Sequence, residues 1–215
     1  MLSGHFLSRF VLLLSEHQDR FTHHVLRCTK SAERIYHLSV VYGGHGRSSL
    51  AFASGKGYLK TVNFLVTRRG ADVHAGNDKV LKCASECGQL EVTQFLISVG
   101  ADVHTNHDEA LRWASKRGHL EIVQFLIGVG ADVHANHDEA LRWASVNGHL
   151  GTVKFLIGKG ANVHAGGDEA LRYTSEGGYL EVTQYLVGVG ADVHANNDEA
   201  LRWASDGGHL EVTQF

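Results

Sequence analysis

The amino-acid sequence predicts an all-α fold of the solenoid class, in which pairs of short helices stack along the chain. A Gly-Ala-Asp/Asn-Val tetrad begins at five positions spaced by 30 residues, which are Gly70, Gly100, Gly130, Gly160 and Gly190. The composition agrees, since the 215 residues include 25 glycines and no proline. Glycine at a fixed period, without proline, indicates stops between copied helices. One helix pair buries too little apolar surface to fold alone, so we expect the copies to stack.

Each copy contains two helical segments separated by glycine. In the copy that begins at Gly100, an Asp N-cap at residue 108 predicts a first helix over residues 109–116, which Gly118 ends. The second helix is predicted from residue 120 to Gly130. We expect it to bury five apolar side chains, Leu120, Val123, Phe125, Leu126 and Ile127.

The repeat pattern divides the chain into two regions. Residues 47–215 are predicted to form the repeat array, with an eroded copy at its start and a last copy truncated at Phe215. Residues 1–46 are predicted to form an N-terminal helical segment, and an eroded helix pair over residues 25–41 is one interpretation of it.

Charge and cysteine content narrow the class of protein. Residues 1–69 hold ten Lys and Arg against three Asp and Glu, whereas residues 70–215 hold ten against twenty. The basic residues are scattered, so we expect no nucleic-acid partner. Three cysteines are too few for a disulfide framework, which favours a reducing intracellular setting. No stretch approaches the ~20 apolar residues of a membrane span, so we expect no membrane partner.

The sequence resembles the ankyrin-repeat family. The resemblance rests on Gly-His-Leu-Glu-Ile-Val at 118–123, Phe-Leu-Ile at 125–127 and Gly-Ala-Asp-Val at 130–133. The usual repeat has about 33 residues and opens with Thr-Pro-Leu-His, whereas this one has 30 and reads Glu-Ala-Leu-Arg at 109–112. That variant is similar to the ankyrin arrays of giant DNA viruses of amoebae. The resemblance implies a short β-turn finger in each repeat, protein recognition and no catalytic residues.

Aromatic residues recur beside the buried leucine of the first helix. They form a ladder with two interpretations, packing between repeats or a stripe that a partner contacts. Near the end of the same helix the residues differ from copy to copy, which is the best specificity signal in a copied module. The ankyrin resemblance places this end on the concave side of the array. The candidate partner-binding residues are Trp113, Lys116, Arg117, Asn136, His137, Trp143, Val146, Asn147, Tyr173, Glu176, Trp203 and Asp206.

Other repeated polar residues are expected to be structural. Arg112 follows Glu109 by three residues, a spacing that predicts an ion pair within one helix. The ankyrin resemblance implies that His104 bonds the finger backbone and that His119 bonds across the loop before its helix. Loss of such bonds on protonation predicts acid sensitivity between about pH 7.5 and pH 5. His134 and His137 could supply at most two metal ligands, so we expect no metal site and no cofactor.

The sequence therefore predicts a non-enzymatic scaffold that binds proteins through the concave face of the array. The resemblance implies host proteins as partners and the host cytoplasm as the setting, with no small-molecule substrate. The alternative is a truncated or decaying repeat gene product without a specific partner, which the last copy and the eroded first copy would suit.

Overall fold

A computed structural model describes residues 49–215, so the interpretation of residues 1–46 lies outside the described residues. This part of the chain forms six helix pairs. The first helices are α1 Ser49–Gly55, α3 Ala75–Glu86, α5 Thr105–Lys116, α7 Ala135–Val146, α9 Ala165–Glu176 and α11 Ala195–Asp206. The second helices are α2 Leu59–Arg69, α4 Leu90–Ser98, α6 Leu120–Gly128, α8 Leu150–Gly158, α10 Leu180–Gly188 and α12 Leu210–Gln214.

The helices pack in two rows. From α3 to α11 each first helix contacts the first helix of the next repeat, and from α2 to α12 each second helix contacts the next second helix. From the α3–α4 pair to the α11–α12 pair, the two helices of a repeat contact each other. This confirms the predicted all-α solenoid. The α1 and α2 helices lie where the eroded copy is predicted. Within residues 49–215, no helix combines the length and apolarity needed to cross a bilayer.

The core lies between the two rows and is made of small and branched apolar side chains. Ala110, Leu111 and Ala114 on α5 are buried, and the small alanines let the neighbouring helix approach closely. On α6 the buried residues are Ile122, Val123 and Leu126. The prediction for this helix was therefore wrong in part, because Leu120, Phe125 and Ile127 flank the buried stripe and remain half-exposed. Similar sets recur in the other repeats, so the core continues from repeat to repeat.

Glycine ends both helices of a repeat, as the sequence predicts. Gly118 has a φ of 73° and Gly130 a φ of 108°, a region that side chains with a Cβ avoid. After Gly118, the N–H of His119 donates to the carbonyl of Ala114 at 3.0 Å. This bond satisfies a carbonyl that the helix end would leave unpaired.

A left-handed turn connects each finger to its first helix. In the fourth pair, the N–H of Ala135 donates to the carbonyl of Asp132 at 3.1 Å, which closes a β-turn. Asn136, His137 and Asp138 then take φ values of 53°, 60° and 58°, so right-handed helix begins only at residue 139. Asn and Asp tolerate this conformation better than other side chains do. The finger thus contains the β-turn that the resemblance implies, followed by three left-handed residues that the sequence analysis missed.

Candidate functional site

The aspartate that recurs in each left-handed turn links one repeat to the next. In α5, Asp108 is buried, and its Oδ1 accepts the backbone N–H of Asp132 at 3.0 Å. The same oxygen accepts Nδ1–H of His104 at 3.2 Å. The predicted role of Asp108 as an N-cap is therefore replaced by a role between repeats. The prediction for His104 was also wrong, because its ring bonds a carboxylate and not the finger backbone.

In three repeats a histidine before the second helix, His119, His149 or His209, also bonds to the preceding repeat. Nε2–H of His119 donates to the carbonyl of Glu86 at 3.0 Å, and that of His149 donates to the carbonyl of Lys116 at 3.0 Å. These histidines do form the predicted hydrogen bond across a loop, but the carbonyl that accepts it belongs to the previous repeat. Each ring lies so close to a glycine that a Cβ on Gly118 would be 2.6 Å from Nδ1 of His149.

The arginines of the first helices form ion pairs between repeats. Arg112 pairs with Glu139 of the next repeat, and its Nε donates to the carbonyl of His107 at 3.0 Å. The predicted pair within one helix, Arg112 with Glu109, was therefore wrong. The left-handed turn explains why the pairing differs, because it points the backbone carbonyls of residues 106 and 107 toward the Arg112 guanidinium. Glu109 instead pairs with Lys82 at 3.3 Å.

Together these contacts hold the first helices in a fixed register. The same ion pair recurs between Arg142 and Glu169 and between Arg172 and Glu199. At Glu109, burial alone would raise the pKa, but the Asn106 hydrogen bond and the Lys82 charge together lower it. The carboxylate thus stays ionised for its ion pair.

The aromatic ladder lies on the exposed side of this row and is half-buried. Trp113 and Trp143 have ring centroids 5.2 Å apart in an edge-to-face arrangement. Tyr173 and Trp203 form a second pair at 5.7 Å. No ring contact joins Trp143 to Tyr173, so within the described residues the ladder consists of two pairs with a gap between them. The interpretation of the ladder as packing between repeats is therefore confirmed within each pair. The rings also keep surface open to solvent, so contact with a partner stays a prediction.

Cations cover most of the ladder rings. The ammonium of Lys116 lies 4.6 Å from the Trp113 centroid and 4.7 Å from the Trp143 centroid. Three rings also face a cation from the preceding repeat, as in the pairs Lys82–Trp113, Arg112–Trp143 and Arg172–Trp203. Tyr173 differs, because no cation lies over its ring among the residues that the structure describes.

A groove of about 250 Å³ opens at the gap in the ladder. Its walls include the rings of Trp143 and Tyr173 and the side chain of Val146. The pKa of Tyr173 is raised, chiefly because its hydroxyl donates a hydrogen bond to the Glu169 carboxylate. Burial and the negative charge of Glu169 raise it further. We call this feature the Trp143–Tyr173 groove, and its lining residues are Lys116, Arg142, Trp143, Val146, Asn147, Glu169 and Tyr173.

The repeated helix pairs, the fingers and the contacts between repeats have a counterpart among known families. A family model described as ankyrin repeats, in three copies, matches residues 80–166 and 141–215. The chain belongs to the ankyrin-repeat family. No curated protein matches this ankyrin chain in sequence. Ankyrin repeats are generally protein-interaction modules, and the fold is typically non-enzymatic.

Five of the twelve candidate residues line the groove of the ankyrin array, namely Lys116, Trp143, Val146, Asn147 and Tyr173. Trp113 and Trp203 extend the ladder on either side of it. Arg117 pairs with Glu86 at 2.9 Å, so its charge is already matched within the array. Glu176 and Asp206 are exposed, and no ion pair engages them among the described residues.

Two of the predicted site residues lie away from the groove, and two residues that were not predicted line it. Asn136 and His137 belong to the left-handed turn and are exposed, but they do not line the groove. The sequence analysis missed Arg142 and Glu169 as groove residues, because it assigned the residues at these register positions to ion pairs within one helix, Arg142 with Glu139 and Arg172 with Glu169. In residues 49–215 no cluster of three or more His, Cys, Asp or Glu side chains is placed to hold a metal ion.

Proposed function

We propose that this ankyrin array binds protein partners through the exposed side of its first helices, with the Trp143–Tyr173 groove at the centre of the contact. The observation that supports this most directly is the gap in the aromatic ladder. Two large rings that elsewhere stack on another ladder ring here face an open groove. Aromatic residues around a pocket are the residue types that dominate binding energy at protein interfaces.

The proposed surface is rigid before any partner arrives. Its rings stand on helices that the Asp108–Asp132 bond, the His149–Lys116 bond and the Arg142–Glu169 pair connect from repeat to repeat. A surface fixed in this way loses little conformational entropy on binding. The array can therefore use more of its contact energy for affinity.

The positions that vary between repeats surround the groove. At the register position of Lys116, the next repeats carry Val146, Glu176 and Asp206, although their flanking sequences are nearly copied. Such variation supports a surface that is specific for one partner chemistry. In the ankyrin family this end of the first helix is expected on the concave side.

Host proteins are the partners that we propose, in the host cytoplasm. This part of the proposal depends on the similarity to ankyrin arrays of giant amoebal viruses and stays a prediction. A binding role without catalysis agrees with the typical behaviour of the fold.

Affinity capture with matched variants tests the proposed surface. The groove variant combines Trp143→Ala, Val146→Ser and Asn147→Ser, and the control combines Glu121→Ala with Gln124→Ala at exposed positions of α6. Circular dichroism and thermal melts first establish that both variants fold. We expect the wild type and the control to capture the same proteins from an amoebal lysate, and the groove variant to lose them. Equal recovery by the groove variant would reject the surface.

A further inference from the structure

We infer that the preferred partner of the Trp143–Tyr173 groove is a segment with a large apolar side chain that enters the groove and basic residues that extend toward Glu176 and Asp206. This inference rests on the proposed function and names the chemistry of its partner. Three observations carry it: the shape of the groove, the side chain missing from it, and the uneven charge along the first helices.

The groove has the size and lining for one large apolar side chain. Its volume is about 250 Å³, and Trp143, Tyr173 and Val146 supply apolar surface. The charged lining is already engaged, since Arg142 pairs with Glu169 and Lys116 lies against the Trp143 ring. An apolar or aromatic anchor would bury the exposed ring surface without unpairing a charge.

The preceding repeat shows one side chain that can fill this position. Between Trp113 and Trp143, the side chain of Lys116 lies within 5 Å of both ring centroids. One repeat later the same register position is Val146, which is too short to cover Tyr173. The groove therefore exists because one repeat lacks the long side chain that its neighbour uses.

Charge sets the direction of the bound segment. On the side of the groove toward the start of the array, Arg117 is neutralised by Glu86. On the other side, Glu176 and Asp206 are exposed, with no ion pair to any residue that the structure describes. Residues 70–215 hold twenty Asp and Glu against ten Lys and Arg, which adds to the attraction for a basic segment.

The spacing of the repeats defines the partner motif. Packed helices lie about 8–10 Å apart, and an extended chain advances about 3.3 Å per residue. From an apolar anchor that lies over Val146, a Lys or Arg about three residues away would therefore reach Glu176 on the next helix, and one about six residues away would reach Asp206.

Selection from a random-peptide display library on the immobilised full chain tests the motif. We expect the enriched peptides to combine a large apolar residue with Lys or Arg at about these spacings. The strongest peptide is then labelled and titrated against the wild type and two Val→Lys variants. A lysine already occupies this register position one repeat earlier, as Lys116, so we expect the repeat to accommodate Val146→Lys without misfolding. Val129→Lys is the control, because the chain already has Lys159 at that register position, away from the groove.

Val146→Lys should weaken binding about tenfold or more, as loss of a central anchor does, and Val129→Lys should leave it unchanged. The double variant Glu176→Lys/Asp206→Lys should weaken the basic peptide and, in a second selection, enrich acidic peptides with the same apolar anchor. Enrichment of acidic or uncharged peptides by the wild type, or equal binding by Val146→Lys, would overturn this inference. If those peptides still depend on Trp143, the proposed binding surface stands and only the partner chemistry is wrong.

Discussion

The Asp108 carboxylate accepts the backbone N–H of Asp132 at 3.0 Å, across the contact between two successive repeats. Asp108→Ala would leave that N–H without its acceptor and would place alanine at a φ of 55°. We expect the free energy of unfolding, measured by urea denaturation, to fall by about 1–3 kcal/mol.

Asp108→Asn is the matched control for this prediction. It keeps an oxygen acceptor and a side chain that tolerates the left-handed region, so it should lose distinctly less than Asp108→Ala. Equal losses in the two variants would contradict the role of Asp108 as an acceptor between repeats.

Gly118 is predicted to be intolerant of any side chain. A Cβ there would lie 2.6 Å from Nδ1 of His149, and the backbone φ is 73°. Gly118→Ala should therefore lower the free energy of unfolding by about 1–2 kcal/mol for the backbone alone, with a further loss from the displaced imidazole.

The control is Gly158→Ala at the end of α8, where a Cβ would meet no atom within 4 Å and φ is not positive. This change should be neutral or should stabilise the protein by up to about 1 kcal/mol. Denaturant midpoints that shift in the same direction for both variants would argue against the contact between Gly118 and the His149 ring.

Ser115 is a site where a simple change should stabilise the array. Its Oγ is buried and has no hydrogen-bond partner among the described residues. Ser115→Ala removes this unpaired hydroxyl and adds a better helix former, so we expect a gain of about 1 kcal/mol. Ser205 occupies the same register position but is exposed, and its Oγ donates to the carbonyl of Leu201. Ser205→Ala should change stability by less than about 0.5 kcal/mol, and a smaller gain at Ser115 than at Ser205 would refute the argument.

The contact between His194 and Asp198 is expected to strengthen in mild acid. A hydrogen bond to Asp198, and then the charge of Asp198, raise the pKa of His194 above its usual value. A raised pKa means that the folded state favours the protonated ring. This contribution is complete below about pH 6.5, the ordinary histidine value, and is lost as the pH rises through the folded-state pKa. The thermal midpoint of the wild type should therefore exceed that of His194→Asn by more near pH 6 than near pH 8.

This sign is opposite to the acid sensitivity that the sequence predicts. The Nε2–H of His119 donates to the Glu86 carbonyl, and a protonated ring keeps that N–H. His194→Asn should abolish the contribution of that residue, and NMR titration of His194 measures its pKa directly. A midpoint that falls from pH 8 to pH 6 in the wild type would support the earlier expectation instead.

Glycine spacing was sufficient to predict the helix pairs and their ends, because a left-handed stop such as Gly118 leaves a clear local signal. The partners across repeats could not be predicted in the same way. The pairing of Arg112 with Glu139 depends on how far one helix is shifted against the next, and that shift depends on the left-handed turn. A sequence that reads Asn-His-Asp before a helix suggests an N-cap just as well.

The candidate site was predictable where the copies differ. Val146 and Asn147 stood out because the neighbouring repeats carry other residues, and both line the groove. Arg142 and Glu169 gave no such signal, since nearly every copy has the same pair. The gap between Trp143 and Tyr173 could not be found from sequence, because an unbroken series of aromatic residues says nothing about which rings touch.

The histidine bonds between repeats always join positions 33 residues apart, as His119 to Glu86, His149 to Lys116 and His209 to Glu176. Insertion or deletion of one whole 30-residue unit would therefore recreate the same bond at the new boundary. Unequal recombination within the gene could lengthen or shorten the protein in whole units, and each product would fold without compensating mutations.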